Sequence, residues 1–143
     1  MHFTCSVLRL AVHWRLPFTL ENPARSLLWL CPPVRWLLRR TPVQFATVEL
    51  CAFGTAWRKS TGVLGTWVNL DALYPYRCRC PRRGPCSFSG RPHVPLLTQT
   101  PGGTWLTRLA KPYPWKFVRV LAQAFHATEL SKIALEFGRH LDM

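Results

Sequence analysis

Leu16-Pro17-Phe18-Thr19-Leu20-Glu21-Asn22-Pro23 is the stretch on which the reading of this chain turns. Pro17 opens a short apolar segment, and proline is tolerated at the first position of a strand. The segment therefore reads as extended, with Glu21 at its carboxyl end and Asn22-Pro23 as a turn signal behind it. Open α/β sheets place ligand-handling residues at that end of a strand. Glu21 is thus a candidate to move a proton or to hydrogen-bond the edge of a base, provided burial raises its pKa. The alternative is a glutamate that caps the next helix or faces solvent.

Outward from this strand, Val7, Leu8, Ala11 and Val12 recur at helical spacing on the amino-terminal side. On the other side Ser26 is placed to cap a helix carrying Leu27, Leu28 and Leu30. Pro32 and Pro33 break or restart it, and Val34, Leu37 and Leu38 resume an apolar face before Arg39-Arg40. Phe45 to Phe53 suits a second strand closed by Gly54, and Val63 to Val68 a third, with a basic loop from Thr55 to Gly62 between them. From Tyr74 to Gly103, Pro and Gly recur too often for a regular element. Pro114 then opens a helix with Phe117, Val118, Leu121, Ala124 and Phe125 on one face. Thr128 reads as the cap of a last amphipathic helix carrying Leu130, Ile133, Ala134, Phe137 and Leu141. The expectation is a single, incomplete α/β domain over 1–143, with an irregular basic insertion at 74–103 and helices over 113–141.

The 143 residues allow one ordinary core, and 48% apolar residues with seven Trp suffice to build it. Thirteen Pro and eight Gly cut the chain into short elements separated by long loops. The formal charge of +13 calls for a polyanion, with nucleic acid the first candidate and DNA favoured. No acidic residue lies between Asp71 and Glu129, so the excess is concentrated in the second half. The competing reading is a merely soluble basic surface, or a fragment separated from its acidic half. Cys5, Cys31 and Cys51 sit among apolar neighbours and read as reduced core thiols. Arg9, His13 and Arg15 interrupt the amino-terminal apolar run, so no secretion signal is read and an intracellular protein is expected. The run from Leu27 to Leu38 is too short and too interrupted to anchor in a membrane.

Two further segments offer chemistry. Trp57-Arg58-Lys59-Ser60-Thr61 sets two cations and two hydroxyls beside an aromatic ring, a composition suited to phosphate contact with stacking; a solvated basic turn explains the charges equally well. Cys78, Cys80, Cys86 and His93 are four donors of the kind zinc accepts, in a stretch poor in other structure. Their spacing lacks the C-x2-C knuckle. The alternative is that the thiols pack and His93 bonds locally, while Arg77, Arg79, Arg82, Arg83 and Arg91 form a basic patch. No Gly-rich phosphate loop, paired-carboxylate site or Ser-His-Asp order stands out.

Read in order, Leu20-Glu21-Asn22-Pro23, then Leu50-Cys51-Ala52-Phe53-Gly54 with Trp57-Arg58-Lys59-Ser60-Thr61, then Tyr113-Pro114 opening a late helix, form a pattern. It resembles the C-terminal half of DNA (cytosine-5)-methyltransferase-like proteins, particularly divergent phage and mobile-element forms, over roughly Ala11 to Phe125. The resemblance implies a partial Rossmann-like methyltransferase sheet with flanking helices. It also implies that Glu21 and Asn22 hold a flipped cytosine, with the glutamate on the ring nitrogen. Arg58 and Lys59 would contact base and backbone, although Ser60 or Thr61 stands where the family has a second arginine. Ala110 to Leu121 would close the cofactor pocket, without the usual Gly-Asn pair.

The family's Pro-Cys nucleophile and glycine-rich S-adenosylmethionine loop should both precede the Glu-Asn motif, and Cys5 lacks the preceding proline. The expectation is therefore a nucleic-acid-binding fragment, inactive alone and binding no S-adenosylmethionine unless a missing half completes it. Trp57, Arg58, Lys59, Thr61, Arg77 and Arg79 would supply its contacts. The rivals are a catalytic half completed by a separate cofactor-binding chain, a small basic zinc and nucleic-acid module, and a mobile-element remnant without function. An incomplete sheet should also leave strand edges exposed and solubility poor.

Overall fold

A computed structural model describes residues 2–40, 43–81 and 84–141, with side chains described up to residue 128. Helix α1 (His2–His13) leads into β1 (Phe18–Pro23), and α2 (Pro32–Leu38) is followed by β2 (Val43–Glu49) and β3 (Ser60–Thr66). A single turn, α3 (Leu106–Leu109), precedes the long helix α4 (Trp115–Leu141). The chain is thus mixed α/β, with a small sheet and flanking helices.

The three strands lie in the order β1-β3-β2, and both pairings are antiparallel. A doubly wound sheet is mostly parallel, so strand direction lends the expected Rossmann-like sheet no support. The β2–β3 connection is short and has no crossover helix, which parallel neighbours would require. Glu21 pairs with Val63 and Asn22 with Gly62, and the strand runs on to Pro23. Glu21 therefore lies close to the strand's carboxyl end, as expected, but Asn22 and Pro23 still belong to the ladder and the turn falls just after them; the side chains of Glu21 and Asn22 point to opposite faces.

Central β3 divides the core in two. Val63 packs with Ala46 and Val48 against Leu50, Phe53, Leu70, Leu73, Phe117 and Ala124, which brings α4 to one face. Leu64 packs with Cys5, Trp29 and Val34 on the other, where α1 and α2 lie. A Cβ on Gly62 would come within 2.8 Å of Phe45 Cζ and 3.0 Å of Trp29 Cζ2, so glycine lets these rings close over the strand. The two rings meet edge to face at 5.0 Å, and Trp29 Nε1 donates to the Pro23 carbonyl at 2.9 Å.

Several local expectations shift. Ser26 does cap, accepting from the Leu28 amide at 3.2 Å, but the element it caps is a 3-10 turn, Leu27–Leu30, and Pro32 opens α2 as a fresh start. The second strand ends at Glu49 instead of Phe53. Leu50–Phe53 winds into a 3-10 turn, ended by Gly54 at φ 94°, a left-handed position that suits glycine. The third strand begins at Ser60, inside the stretch expected as loop, and ends at Thr66. A 3-10 stretch, Leu70–Tyr76, reaches into the expected insertion, and the remainder of 74–103 holds no helix and only one isolated bridge, Gln99 to Trp105, among the described residues.

Thr128 does not start a new helix, because α4 is continuous. Its hydroxyl donates to the Ala124 carbonyl one turn back at 3.0 Å and accepts from the Asn69 amide at 3.1 Å. The apolar side chains expected from Leu130 to Leu141 lie outside the described residues. No helix among the described residues is long and apolar enough to cross a membrane.

Candidate metal centre

Four points of the chain meet beside the end of β2. The 3-10 turn after that strand presents Cys51, the chain leaving the Leu70–Tyr76 stretch presents Cys78, and the irregular loop brings Cys86 and His93. Backbone bonds hold this loop in the absence of regular structure: Cys86 N to Arg91 O and Gly90 N to Cys86 O, both 2.8 Å, with Val94 N to Ala56 O at 2.9 Å tying it to the β2–β3 connection. The three thiols are buried and His93 is half-buried.

The donor atoms of Cys51, Cys78, Cys86 and His93 all lie within 4.8 Å of one another, a cluster that could hold a metal ion. Cys78 Sγ is 3.8 Å from Cys86 Sγ and 3.8 Å from His93 Nε2. A tetrahedron with zinc–sulfur bonds of about 2.3 Å has an edge of about 3.8 Å, so these separations fit a tetrahedral ion. Three thiolates and one imidazole are a zinc-type donor set, and four protein donors leave no open position for a substrate.

The expected set has Cys80 where the structure brings in Cys51. Cys80 lies at the rim, 3.3 Å from Cys78 Sγ and 3.8 Å from His93 Nδ1, with Arg58 Nη1 3.6 Å from its sulfur. Cys51 reads in sequence as a core thiol because nothing in its apolar surroundings signals a ligand. Only Gly54, which closes the 3-10 turn carrying residue 51, distinguishes it.

Electrostatics separate the thiols. Burial works to raise the Cys78 thiol, but hydrogen bonds from Ser87, from the backbone at Cys80 and Ser87, and from Cys80 outweigh it and pull the pKa down to about 5. These bonds favour the thiolate, the form that binds a metal. Burial, then interactions with Cys86 and Cys78, push the Cys51 thiol up, and the hydrogen bond with Cys78 does the same for Cys80.

Arg58 belongs to the scaffold of this centre. Its Nε donates to Glu49 Oε2 at 3.1 Å and its Nη2 to Glu49 Oε1 at 3.3 Å and to the Cys78 carbonyl at 3.1 Å. The guanidinium also lines a cleft with Arg25, Glu49 and Ser60. Lys59 reaches back to the Ala110 carbonyl at 3.3 Å and stands over the Tyr113 ring at 5.3 Å. Trp57 is half-buried, and its indole nitrogen is buried without a partner among the described residues. Thr61 is fully buried in β3, which removes it from the expected contact surface. Arg77 and Arg79, on either side of Cys78, are exposed, as is Arg91; Arg82 and Arg83 lie outside the described residues.

Glu21 is half-buried on the α4 face of the sheet, and Asn22 turns to the opposite face. Burial raises the Glu21 carboxyl above its usual range, against the pull of Lys59, and Oε1 has no hydrogen-bond partner among the described residues.

No protein-family model, curated protein or solved structure matches this chain.

Proposed function

We propose that the chain is a basic nucleic-acid-binding module whose contact loop is stapled by a structural zinc ion on Cys51, Cys78, Cys86 and His93. One observation carries this reading: the four donors converge while Arg77, Arg79 and Arg91, interleaved with them in sequence, remain exposed. Arginines on a fixed loop contact phosphates at lower ordering cost than arginines on a free one. The ion would supply folding energy and no reaction chemistry, since every tetrahedral position is filled by protein. Replacing Arg77, Arg79 and Arg91 together by Gln should weaken duplex DNA binding. It should also flatten the dependence of log K on log salt by about 0.9 for each phosphate no longer neutralised. Zinc content should not change. An unaltered salt slope would remove this loop from the interface.

A second reading has its own support in the orphaned Glu21 carboxylate oxygen. On this reading the chain is part of a cytosine methyltransferase-like protein, with Glu21 awaiting the ring nitrogen of a flipped base. A complementary S-adenosylmethionine-binding chain would then supply the rest of a Rossmann-like sheet. Burial favours the protonated carboxyl that such a contact needs. The parent chain should then prefer an oligonucleotide carrying one unpaired cytosine over its thymine counterpart severalfold, and Glu21→Gln should abolish the preference. Equal affinity of the parent for both oligonucleotides would exclude it.

A further inference from the structure

The side of α1 turned away from the sheet is strongly apolar and largely exposed, with Trp14 meeting the edge of its chain neighbour His13 at 5.3 Å. Cys5 and Leu8 are buried beneath the helix, whereas Phe3 is 81% exposed, Val7 45%, Leu10 57% and Trp14 68%. Residues 3, 7, 10 and 14 follow helical spacing, so these side chains form one ridge along the helix and just past its end, extended by exposed Leu16. Arg9, His13 and Arg15 are exposed along the same segment. On another side of the helix Arg9 reaches α2, where its guanidinium lies 5.2 Å and that of Arg40 4.3 Å from the ring of half-exposed Trp36.

The charge around the ridge has one sign. The first twenty residues contain no Asp or Glu. Glu21 belongs to the opposite sheet face and Glu49 is held by Arg58. A second copy of the chain seated here would bring arginines against arginines with no carboxylate to pair them. Nucleic acid would satisfy the arginines but leave the Phe3, Leu10 and Trp14 side chains in water. A bilayer with anionic headgroups satisfies both, since aromatic and aliphatic side chains enter the interface while arginines meet the phosphates. The ridge is a single convex helix flank, a shape suited to lying on a surface.

We propose that α1 and the Trp36 corner form a peripheral docking surface for an anionic lipid bilayer, with Phe3, Val7, Leu10, Trp14 and Leu16 entering the interface. This surface is separate from the cysteine-stapled loop and stands or falls independently of it.

The test is co-sedimentation of the full chain with vesicles of phosphatidylcholine alone, or of phosphatidylcholine and phosphatidylserine at about 7:3. Binding should be at least about tenfold stronger with phosphatidylserine and should weaken with salt. The exposed triple variant Phe3→Ser, Leu10→Ser, Trp14→Ser should lose most of that binding while keeping its circular dichroism spectrum and its affinity for DNA. Replacement of Arg77, Arg79 and Arg91 should leave the lipid preference in place. Equal binding to both vesicles would overturn the proposal, as would undiminished binding by the triple variant. A parent that sediments as a dimer, with the triple variant monomeric and lipid binding unaltered, would assign the ridge to a second copy instead.

Discussion

Cys78→Ser should abolish the proposed stoichiometric zinc uptake and release the loop from Arg77 to His93. Cys78 is the hub of the cluster: its sulfur is 3.8 Å from both Cys86 Sγ and His93 Nε2, and its environment favours the thiolate. Apparent binding energies for structural zinc in isolated fingers are about 10–16 kcal/mol. In this chain the two apolar clusters on β3 exclude the loop, so the sheet should survive while the loop opens. The expected signature is less than about a tenth of an equivalent of zinc, against one in the parent. Rapid tryptic cleavage after Arg77 or Arg79, both exposed and neither followed by proline, should accompany it. Cys51→Ser should behave similarly, and Cys80→Ser should retain the metal. The reverse pattern, metal kept by Cys51→Ser and lost by Cys80→Ser, would transfer the fourth position to the rim. Because burial holds the Cys51 thiol protonated above its usual range, binding must displace that proton, and affinity should rise with pH across the neutral range.

What the sequence reveals depends on the reach of each signal. Periodicity is local, so the helical repeat in α1, the Pro32 restart of α2 and the apolar face opening α4 are all legible. Strand pairing is not local. The end of β1 is legible to within two residues, because the chain does turn directly after Pro23, but the pairing of Asn22 and Pro23 with Gly62 and Thr61 is not. Thr128 carries a cap-like signal, but its hydroxyl is used for the Ala124 carbonyl and the Asn69 amide, a tertiary contact that no window around residue 128 contains. The metal cluster is half legible for the same reason. Cys78, Cys86 and His93 are near one another in sequence, whereas Cys51 joins them through the fold, at a turn whose only local mark is Gly54. Thr61 fails as a surface residue because it lies on the central strand, where both faces are covered.

Arg58→Ala destabilises the folded chain, and this outcome separates a scaffold role from contact with a base. Glu49 is only 7% exposed, and Arg58 grips both of its carboxylate oxygens at 3.1 and 3.3 Å. Removing one partner of a fully buried pair costs about 3–5 kcal/mol, chiefly from the stranded charge. Here the arginine side chain is 37% exposed and water can enter from its cleft, so the cost should fall to about 1–3 kcal/mol. At about 3 °C per kcal/mol for a chain of this size, the Tm should drop by roughly 3–9 °C. Glu49→Gln added to Arg58→Ala should recover part of the loss, since a neutral amide is cheaper to bury than an unpaired carboxylate. Arg58→Lys should not rescue it, because an ammonium lacks the planar fork that reaches both oxygens and the Cys78 carbonyl together. The same carbonyl bond links the ion pair to the metal loop, so Arg58→Ala should weaken zinc retention as well as stability. A variant that kept the parent Tm and zinc content yet bound DNA more weakly would move Arg58 from the scaffold to the nucleic acid, and with it would return the base-contact role that the motif order suggests.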